Sequence, residues 1–260
     1  MDQGTSVRSF IDREREIVFA RLNVEALYQS YLEHATHWKV RPEDAALACV
    51  RPFLAGVTLH LSLSPPDEFT AWTWNQRQPP TNYFFSGDNN DFIVIGRVWE
   101  GLRVRTSDTS LLYFESQRPR REPQRSTVEV EGLSVLPLFE RYYLHSVQMD
   151  VRLFALSDTD FALLQALPQA NKSWFQGLTL DTVSEYLEKD HEPIEERLYR
   201  FRCRCDHLRI FQILHQAYEG KADELFEGDP EVETACPRCG RKFLITREDF
   251  ERGPRGVGVA

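Results

Sequence analysis

This chain carries the sequences FRCRC at residues 201–205 and CPRCGRKF at residues 236–243. The two stretches contain four of its five cysteines, spaced as C-x-C and C-x-x-C: Cys203, Cys205, Cys236 and Cys239. Zinc in structural sites takes four ligands in a tetrahedron, and a short spacer lets two sulfurs from one turn bind the same ion. Gly240, directly after the last cysteine, allows the backbone to turn there. The spacing therefore predicts one Zn²⁺ per chain, held by these four thiolates.

The histidines near the four cysteines, and the remaining cysteine, are not needed as ligands. Four thiolates fill the coordination sphere of zinc, so no open position remains for the activated water of a zinc hydrolase. His207 and His215 lie in the same region, but with four cysteines available His207 is interpreted as a residue at a helix start. Cys49 has no neighbouring cysteine or basic cluster and is interpreted as a small buried apolar residue.

Catalytic motifs give no support for an enzyme. The sequence has no serine, histidine and aspartate arrangement with a recognisable nucleophile elbow, and no glycine-rich loop that would cradle a phosphate. We therefore expect neither enzymatic catalysis nor a nucleotide cycle.

Composition limits the partners and the compartment. The 260 residues are 42% hydrophobic and 27% charged, enough for one large and one small domain, and the formal net charge of -9 disfavours a nucleic-acid partner. The N-terminus has no basic region followed by an apolar core, and no apolar run is expected to approach the roughly 20 residues that span a bilayer. We expect a cytoplasmic protein without a membrane partner. In a reducing compartment, clustered cysteines indicate metal binding or redox chemistry rather than structural disulfides.

The hydrophobic pattern predicts an α+β fold for an N-terminal domain at residues 1–168. Residues 69–131 alternate with a period of two between turn signals, which is typical of a mainly antiparallel sheet, and helices are expected to cover it. The other predicted elements are a strand within 9–22, a helix capped by Asn23, a helix from Pro42 to Leu61, a helix at 136–143, a strand at 151–156 and a short helix at 158–167.

Three further segments complete the predicted organisation. Residues 169–200 are expected to form a helical linker, whose charged background and small apolar area make its stability depend on docking to another part of the protein. Such a segment is either a conditional element or a plain two-helix connector. Residues 201–252 are expected to form a small zinc-binding, redox-switch domain, and residues 253–260 a flexible tail.

The order of these features resembles the heat-shock protein 33 family of bacterial redox-regulated holdase chaperones. The most specific match is the C-x-C and C-x-x-C-G pattern followed by an aromatic residue, and residues 142–148 and 163–168 resemble the family's Y-F-x-x-S-E-Q and L-L-Q-x-L-P stretches. Four departures are visible. The glycine-rich strand turns that the family has after the second helix are replaced by residues 74–80, WNQRQPP. Val147 replaces an acidic residue, Asp206 replaces a serine, and Tyr199 runs almost directly into the metal segment, so the connecting piece before it is shortened.

The resemblance implies a mechanism. Zinc on the four cysteines would stabilise the inactive state; peroxide or hypochlorous acid would oxidise the thiolates to disulfides within Cys203/Cys205 and Cys236/Cys239, and zinc would leave. The linker would then expose apolar surface that binds unfolded or aggregation-prone client proteins without ATP, with a homodimer possible in the oxidised state.

Two other functions stay open at this stage. A zinc-stabilised protein-interaction module that has lost the redox switch is favoured by the short linker. A zinc-ribbon nucleic-acid binder would need the basic residues around the cysteines on one face, and the acidic residues between the two cysteine pairs disfavour it.

Overall fold

The computed structural model describes residues 4–101, 108–132 and 134–253. The chain divides into two compact units, Met1–Arg202 and Cys203–Ala260, called here the core unit and the module. The prediction of a flexible tail lies outside the described residues except for Gly253, and so does the part of the predicted sheet at residues 102–107.

The core unit combines ten strands and five α-helices within the described residues. Its strands are β1 Thr5–Asp12, β2 Ile17–Asn23, β3 Phe69–Gln76, β4 Thr81–Asp88, β5 Ile93–Glu100, β6 Leu111–Gln117, β7 Gln124–Glu129, β8 Val151–Ala155, β9 Asp160–Ala166 and β10 Glu192–Phe201. Its helices are α1 Glu25–His37, α2 Asp44–Ser62, α3 Val135–Tyr142, α4 Lys172–Gln176 and α5 Leu180–Leu187, with a π-helical turn at Tyr143–Val147 after α3.

All ten strands form one sheet in the order β7-β6-β3-β4-β5-β10-β1-β2-β9-β8. Every neighbouring pair is antiparallel except β10 and β5, which are parallel. The prediction of an α+β protein with a mainly antiparallel sheet and covering helices is confirmed.

Helix α2 forms the centre of the core unit. Its side chain Phe53 stacks on Phe85 of β4, with ring centroids 4.8 Å apart, and meets Phe139 of α3 edge-on at 5.4 Å. A Cβ atom on Gly56 would clash with the Phe139 ring, so glycine is needed where α2 and α3 approach each other. By length and composition alone α2 is apolar enough to cross a membrane, contrary to the expectation from the sequence, but 72% of its apolar window is buried in the fold. That burial is typical of a core helix.

Residues 158–167, predicted to be a helix, contain strand β9 instead. Four consecutive apolar side chains of β9 are buried, from Phe161 to Leu164. A strand covered on both faces loses the polar alternation of a surface strand, so an apolar run of this length cannot be told from a helix by its periodicity. Residues 9–22 likewise resolve into parts of β1 and β2, which pair through Phe10 and Phe19.

The range predicted as a helical linker has two parts. Helices α4 and α5 occupy its first part and bury Phe175, Val183 and Tyr186 in a cluster with Phe19 of β2 and Leu164 of β9. They therefore dock on the sheet of the core unit. The second part forms β10, which alternates buried and exposed positions from Arg197 to Phe201; the charged residues that precede them obscured this pattern.

Within residues 203–253, the part of the module that the structure describes, there are a short hairpin and three helices. The elements are α6 His207–Ala217, α7 Ala222–Phe226, β11 Glu231–Ala235, β12 Lys242–Thr246 and α8 Arg247–Arg252. Strands β11 and β12 pair from Glu231↔Thr246 to Ala235↔Lys242.

Candidate metal centre

The first cysteine pair lies in the loop that leads into α6. Asp206 caps this helix, because its side chain accepts a hydrogen bond from the Arg209 backbone N–H at 2.7 Å. The cap fixes where the helix begins, and Cys205 lies one residue before the capping residue Asp206.

The second pair lies at the tip of the β11–β12 hairpin. The Cys236 N–H donates to the Arg241 carbonyl at 2.8 Å, and the Gly240 N–H donates to the Cys236 carbonyl at 2.9 Å. Gly240 has a φ of 78°, in the region that favours glycine, so the tight turn around Cys239 depends on it.

The four sulfur atoms converge. All of them lie within 4.8 Å of one another, with Cys205 and Cys239 at 3.5 Å and Cys203 and Cys236 at 3.9 Å. In a tetrahedron with metal–sulfur bonds of about 2.3 Å, sulfurs would be about 3.8 Å apart. The geometry and the sulfur donors together fit a closed four-coordinate metal site, and zinc is the metal that such a donor set favours.

Contacts between the sulfurs shape their acidity. The pKa of the Cys203 thiol is lowered to about 7, chiefly by its hydrogen bond with Cys205, and the pKa of Cys236 is lowered chiefly by its contact with Cys203. Contacts with Cys203 are also the main cause that raises the pKa of Cys205 and of Cys239. A bound cation would replace the shared protons and keep all four groups as thiolates.

Solvent reaches the two pairs unequally. Cys236 and Cys239 are only 2% and 1% exposed, whereas Cys203 and Cys205 are half-buried.

The other candidate residues lie outside the sulfur cluster. His207 begins α6, and its Nε2 atom lies 3.1 Å from the Leu244 carbonyl oxygen. His215 packs between the rings of Phe211 and Phe250, at 5.9 and 5.1 Å. Cys49 is half-buried on α2 in the core unit, and burial raises the pKa of its thiol.

The apolar core of the module was not predicted from the sequence. Phe211, Phe226, Ile245 and Phe250 form one buried cluster in the module. Its signal was available, because the apolar residues of α6 recur at helical spacing: Leu208, Ile210, Phe211 and Leu214.

The basic residues around the cysteines make separate contacts. Lys242 forms an ion pair with Glu233 at 2.6 Å, Arg209 contacts the Arg204 carbonyl at 3.4 Å, and the Arg241 guanidinium lies 5.0 Å from the centre of an aromatic ring, that of Phe243. These three side chains therefore make contacts within the module.

Comparison with known proteins gives matches over most of the chain. The family model described as Hsp33 protein matches residues 106–246. The 33 kDa chaperonin of Nitrosococcus oceani is 26% identical over 179 residues, which cover 60% of this chain and 62% of that protein. The 33 kDa chaperonin of Yersinia pestis is 27% identical over 155 residues, or 50% of this chain and 53% of that protein. The chain thus spans between half and two thirds of the length of these curated relatives.

Similarity of fold extends further than similarity of sequence. A crystal structure of the 33 kDa chaperonin (heat shock protein 33 homolog) from Thermotoga maritima superposes with a TM-score of 0.71, covering 97% of this chain and 98% of that one. Sequence identity in this comparison is 11%, so it describes the fold.

Proposed function

The chain belongs to the Hsp33 family, and we propose on that premise that it is a redox-regulated, ATP-independent holdase chaperone of the cytoplasm. The observation that carries the proposal is the convergence of Cys203, Cys205, Cys236 and Cys239 within 4.8 Å. Its clients would be unfolded or aggregation-prone proteins, and a homodimer is part of the proposed oxidised state.

In the reduced state the four thiolates would hold one Zn²⁺. Bound there, zinc supplies the cross-link between the loop before α6 and the tip of the β11–β12 hairpin, and such structural sites contribute on the order of 10 kcal/mol or more to folding. Four sulfur ligands leave no open coordination position, so the metal is given a structural role.

Oxidation would remove the ligands. A thiolate attacks peroxide to give a sulfenic acid and hydroxide, and a neighbouring thiolate then displaces a second hydroxide to form the disulfide. Each disulfide therefore consumes one peroxide and gives up two electrons, and its sulfurs no longer bind the metal as thiolates. The half-buried Cys203 and Cys205 would react first.

The pairing of the disulfides is part of the proposal. Family resemblance favours Cys203 with Cys205 and Cys236 with Cys239. Since all the sulfurs lie within 4.8 Å of one another, distance alone does not select between the possible pairings.

Zinc release and chaperone activity can be measured on the same sample. Reduced, zinc-loaded protein is treated with peroxide or hypochlorous acid beside a chromogenic chelator, while light scattering follows a thermally aggregating client. We expect release of about one zinc per chain and suppressed aggregation only after oxidation. Peptide mapping of the oxidised protein then gives the disulfide pairing.

Two cysteine variants test whether the four-cysteine centre, and not Cys49, holds the zinc. Cys49→Ser is expected to release zinc and suppress aggregation like the unaltered protein, whereas Cys239→Ser is expected to be purified with less zinc. If zinc leaves but aggregation continues unchanged, the holdase proposal is wrong and a zinc-stabilised interaction module takes its place. If the reduced protein never binds zinc, the metal centre itself is refuted.

A further inference from the structure

Strand β7 is the last strand in the order of the sheet, and its pairing with β6 decides which of its backbone groups point outward. The two strands pair antiparallel along the whole of β7. The Val130 N–H donates to the Ser110 carbonyl at 2.9 Å, so these two residues form a hydrogen-bonded pair. Hydrogen-bonded and non-hydrogen-bonded pairs alternate along an antiparallel ladder. Three residues therefore direct their N–H and C=O groups away from β6: Arg125, Thr127 and Glu129.

The opposite edge of the sheet, strand β8, is protected by a side chain. The Ala166 N–H donates to the Asp150 carbonyl at 2.9 Å, so by the same alternation the N–H of Leu153 points outward from β8. That N–H donates to Glu140 Oε1 of α3 at 2.8 Å, and Arg152 pairs with the same carboxylate at 3.6 Å. An occupied edge of this kind resists pairing with a strand of another chain. No side chain of the described residues bonds the outward N–H groups of β7.

The edge of β7 is also accessible. Its outward residues Arg125, Thr127 and Glu129 are all exposed. A cleft of about 210 Å³ lies between β7 and the segment of α3 and the π-helical turn, lined by Thr127, Val128, Glu129, Arg141, His145 and Ser146. The neighbouring elements therefore leave the edge uncovered.

The outward residues of β7 are complementary to themselves. A two-fold axis at Thr127 places this residue opposite Thr127 of a second copy, and places Arg125 opposite Glu129 of that copy on both sides of the axis. All three pairs are of the hydrogen-bonded type, because each residue offers an outward N–H and an outward C=O. Since each pair exchanges two bonds, about six backbone hydrogen bonds would form.

Charge selects this register over its neighbours. Opposite charges directly across an antiparallel pair stabilise it, and like charges destabilise it. An axis at Arg125 or at Glu129 would place two like charges opposite each other. Glu129 has no ion-pair partner among the described residues, whereas Arg125 pairs with Glu115 of β6 at 3.2 Å and retains donors for a second carboxylate.

From this edge we infer that the chain forms a two-fold homodimer in which β7 pairs antiparallel with β7 of a second copy, with the axis at Thr127. The same patch serves both copies, so the assembly closes at two. The pairing uses no cysteine and no residue of the module, so the inference does not rest on the proposed redox function. We expect the dimer in the reduced, zinc-loaded protein as well as after oxidation. A single pair of strands makes a small interface, so the dimer should dissociate on dilution.

Sedimentation equilibrium of the full reduced, zinc-loaded chain at several concentrations measures the association. Thr127→Pro removes an N–H that β7 does not use within its own sheet, and proline is tolerated at such positions of an edge strand. Its dimer dissociation constant is expected to rise at least about tenfold, because the central bonds are lost. Thr127→Val keeps the N–H and is the matched control, which should associate like the unaltered protein. Circular dichroism checks that both variants fold.

Two outcomes of this measurement would overturn the inference. A chain that stays monomeric at every concentration would leave the edge to a strand of another protein. A dimer that Thr127→Pro leaves unchanged would show that the copies meet through a different surface. Neither outcome involves a client protein or an oxidant, so both leave the holdase proposal standing.

Exchange of charges tests the register without relying on proline. Arg125→Glu and Glu129→Arg each place like charges opposite each other, so each variant alone is expected to associate at least about tenfold more weakly. A mixture of the two variants, or one chain with both substitutions, again has opposite charges across the axis. Association is then expected to return to within about threefold of that of the unaltered protein. If neither the mixture nor the combined variant regains association, the antiparallel register at Thr127 is wrong.

Discussion

The two units of this protein differ in what holds them together. The core unit packs α2 against a large sheet, and aromatic side chains such as Phe53, Phe85 and Phe139 are fully buried there. Within its described residues, the module has the sulfur centre and a small apolar cluster of four buried side chains, those of Phe211, Phe226, Ile245 and Phe250. A chain segment of this size buries too little apolar area to fold firmly alone, so we expect the module to depend on a metal cross-link at this centre in a way that the core unit does not.

Removal of the metal should give the largest difference between the units. We expect a chelator to unfold the module of the reduced protein, because a structural zinc site contributes on the order of 10 kcal/mol or more. The thermal unfolding transition of the core unit should change little. Calorimetry of zinc-loaded and chelator-treated protein, with far-ultraviolet circular dichroism at each step, measures both. A module that kept its amide protection without metal would contradict the comparison.

The same contrast explains what the sequence could predict. Metal-binding cysteines are separated by short spacers, and this spacing is visible in a sequence. The four ligands could therefore be proposed from the sequence directly: Cys203, Cys205, Cys236 and Cys239. The turn after Cys239 follows from the same local signal, because Gly240 lies in it, whereas the β11–β12 hairpin around this turn was not predicted. Membership in the Hsp33 family, predicted from these residues, is confirmed.

The core unit was harder to predict because its pairings are not local. Strand β10 joins β1 at the opposite end of the sequence of this unit, and nothing near Glu192 indicates that partner. Strand β9 is buried on both faces, which removed the alternation that identifies a strand. Helix periods and strand alternation are local signals, whereas burial by distant segments overrides them.

Truncation of the module's aromatic core should weaken metal binding. Phe211→Ala removes a fully buried ring, a change that typically costs about 3–5 kcal/mol. Since folding and metal binding of the module are coupled, we expect the loss to appear as weaker zinc affinity in a competition titration with a chromogenic chelator. Ile213→Ala, on the exposed side of the same helix, is the matched control and should bind zinc normally. Equal affinities for the two variants would show that the apolar cluster does not support the site.

Acid should weaken the core unit through a buried histidine. His60 of α2 is surrounded by aromatic rings, its Nδ1 atom lies 2.6 Å from the Tyr143 hydroxyl, and burial lowers its pKa from 6.5 to about 3. The unfolded chain binds this proton below about pH 6.5, whereas the folded chain does so only near pH 3. The free energy of unfolding of the core unit is therefore highest above pH 6.5. It falls as the pH drops towards 3, by about 3 kcal/mol between pH 7 and pH 4.5.

Chemical denaturation of the core unit at several pH values measures this effect. His60→Gln removes the titrating group, so its stability should fall less steeply with acid than that of the unaltered protein, whatever the stability of the variant at pH 7. Parallel curves for the two proteins would show that His60 does not cause the acid sensitivity.

The smallest effect on the stability of the core unit is expected from removing single arginine contacts of β10. It should be larger for a buried contact than for an exposed one. Arg197 is buried, bonds two carbonyls at the end of α2 and pairs with Glu195 at 2.7 Å, so Arg197→Gln is expected to destabilise the core unit by about 2 kcal/mol. Arg13 pairs with Glu192 of the same strand at the same 2.7 Å distance, but both side chains are at least half exposed. Because an exposed ion pair contributes at most about 1 kcal/mol, Arg13→Gln should leave the denaturation midpoint nearly unchanged. Equal destabilisation by the two variants would mean that β10 is held by its backbone pairing alone, without a contribution from the bonds of Arg197 to the end of α2.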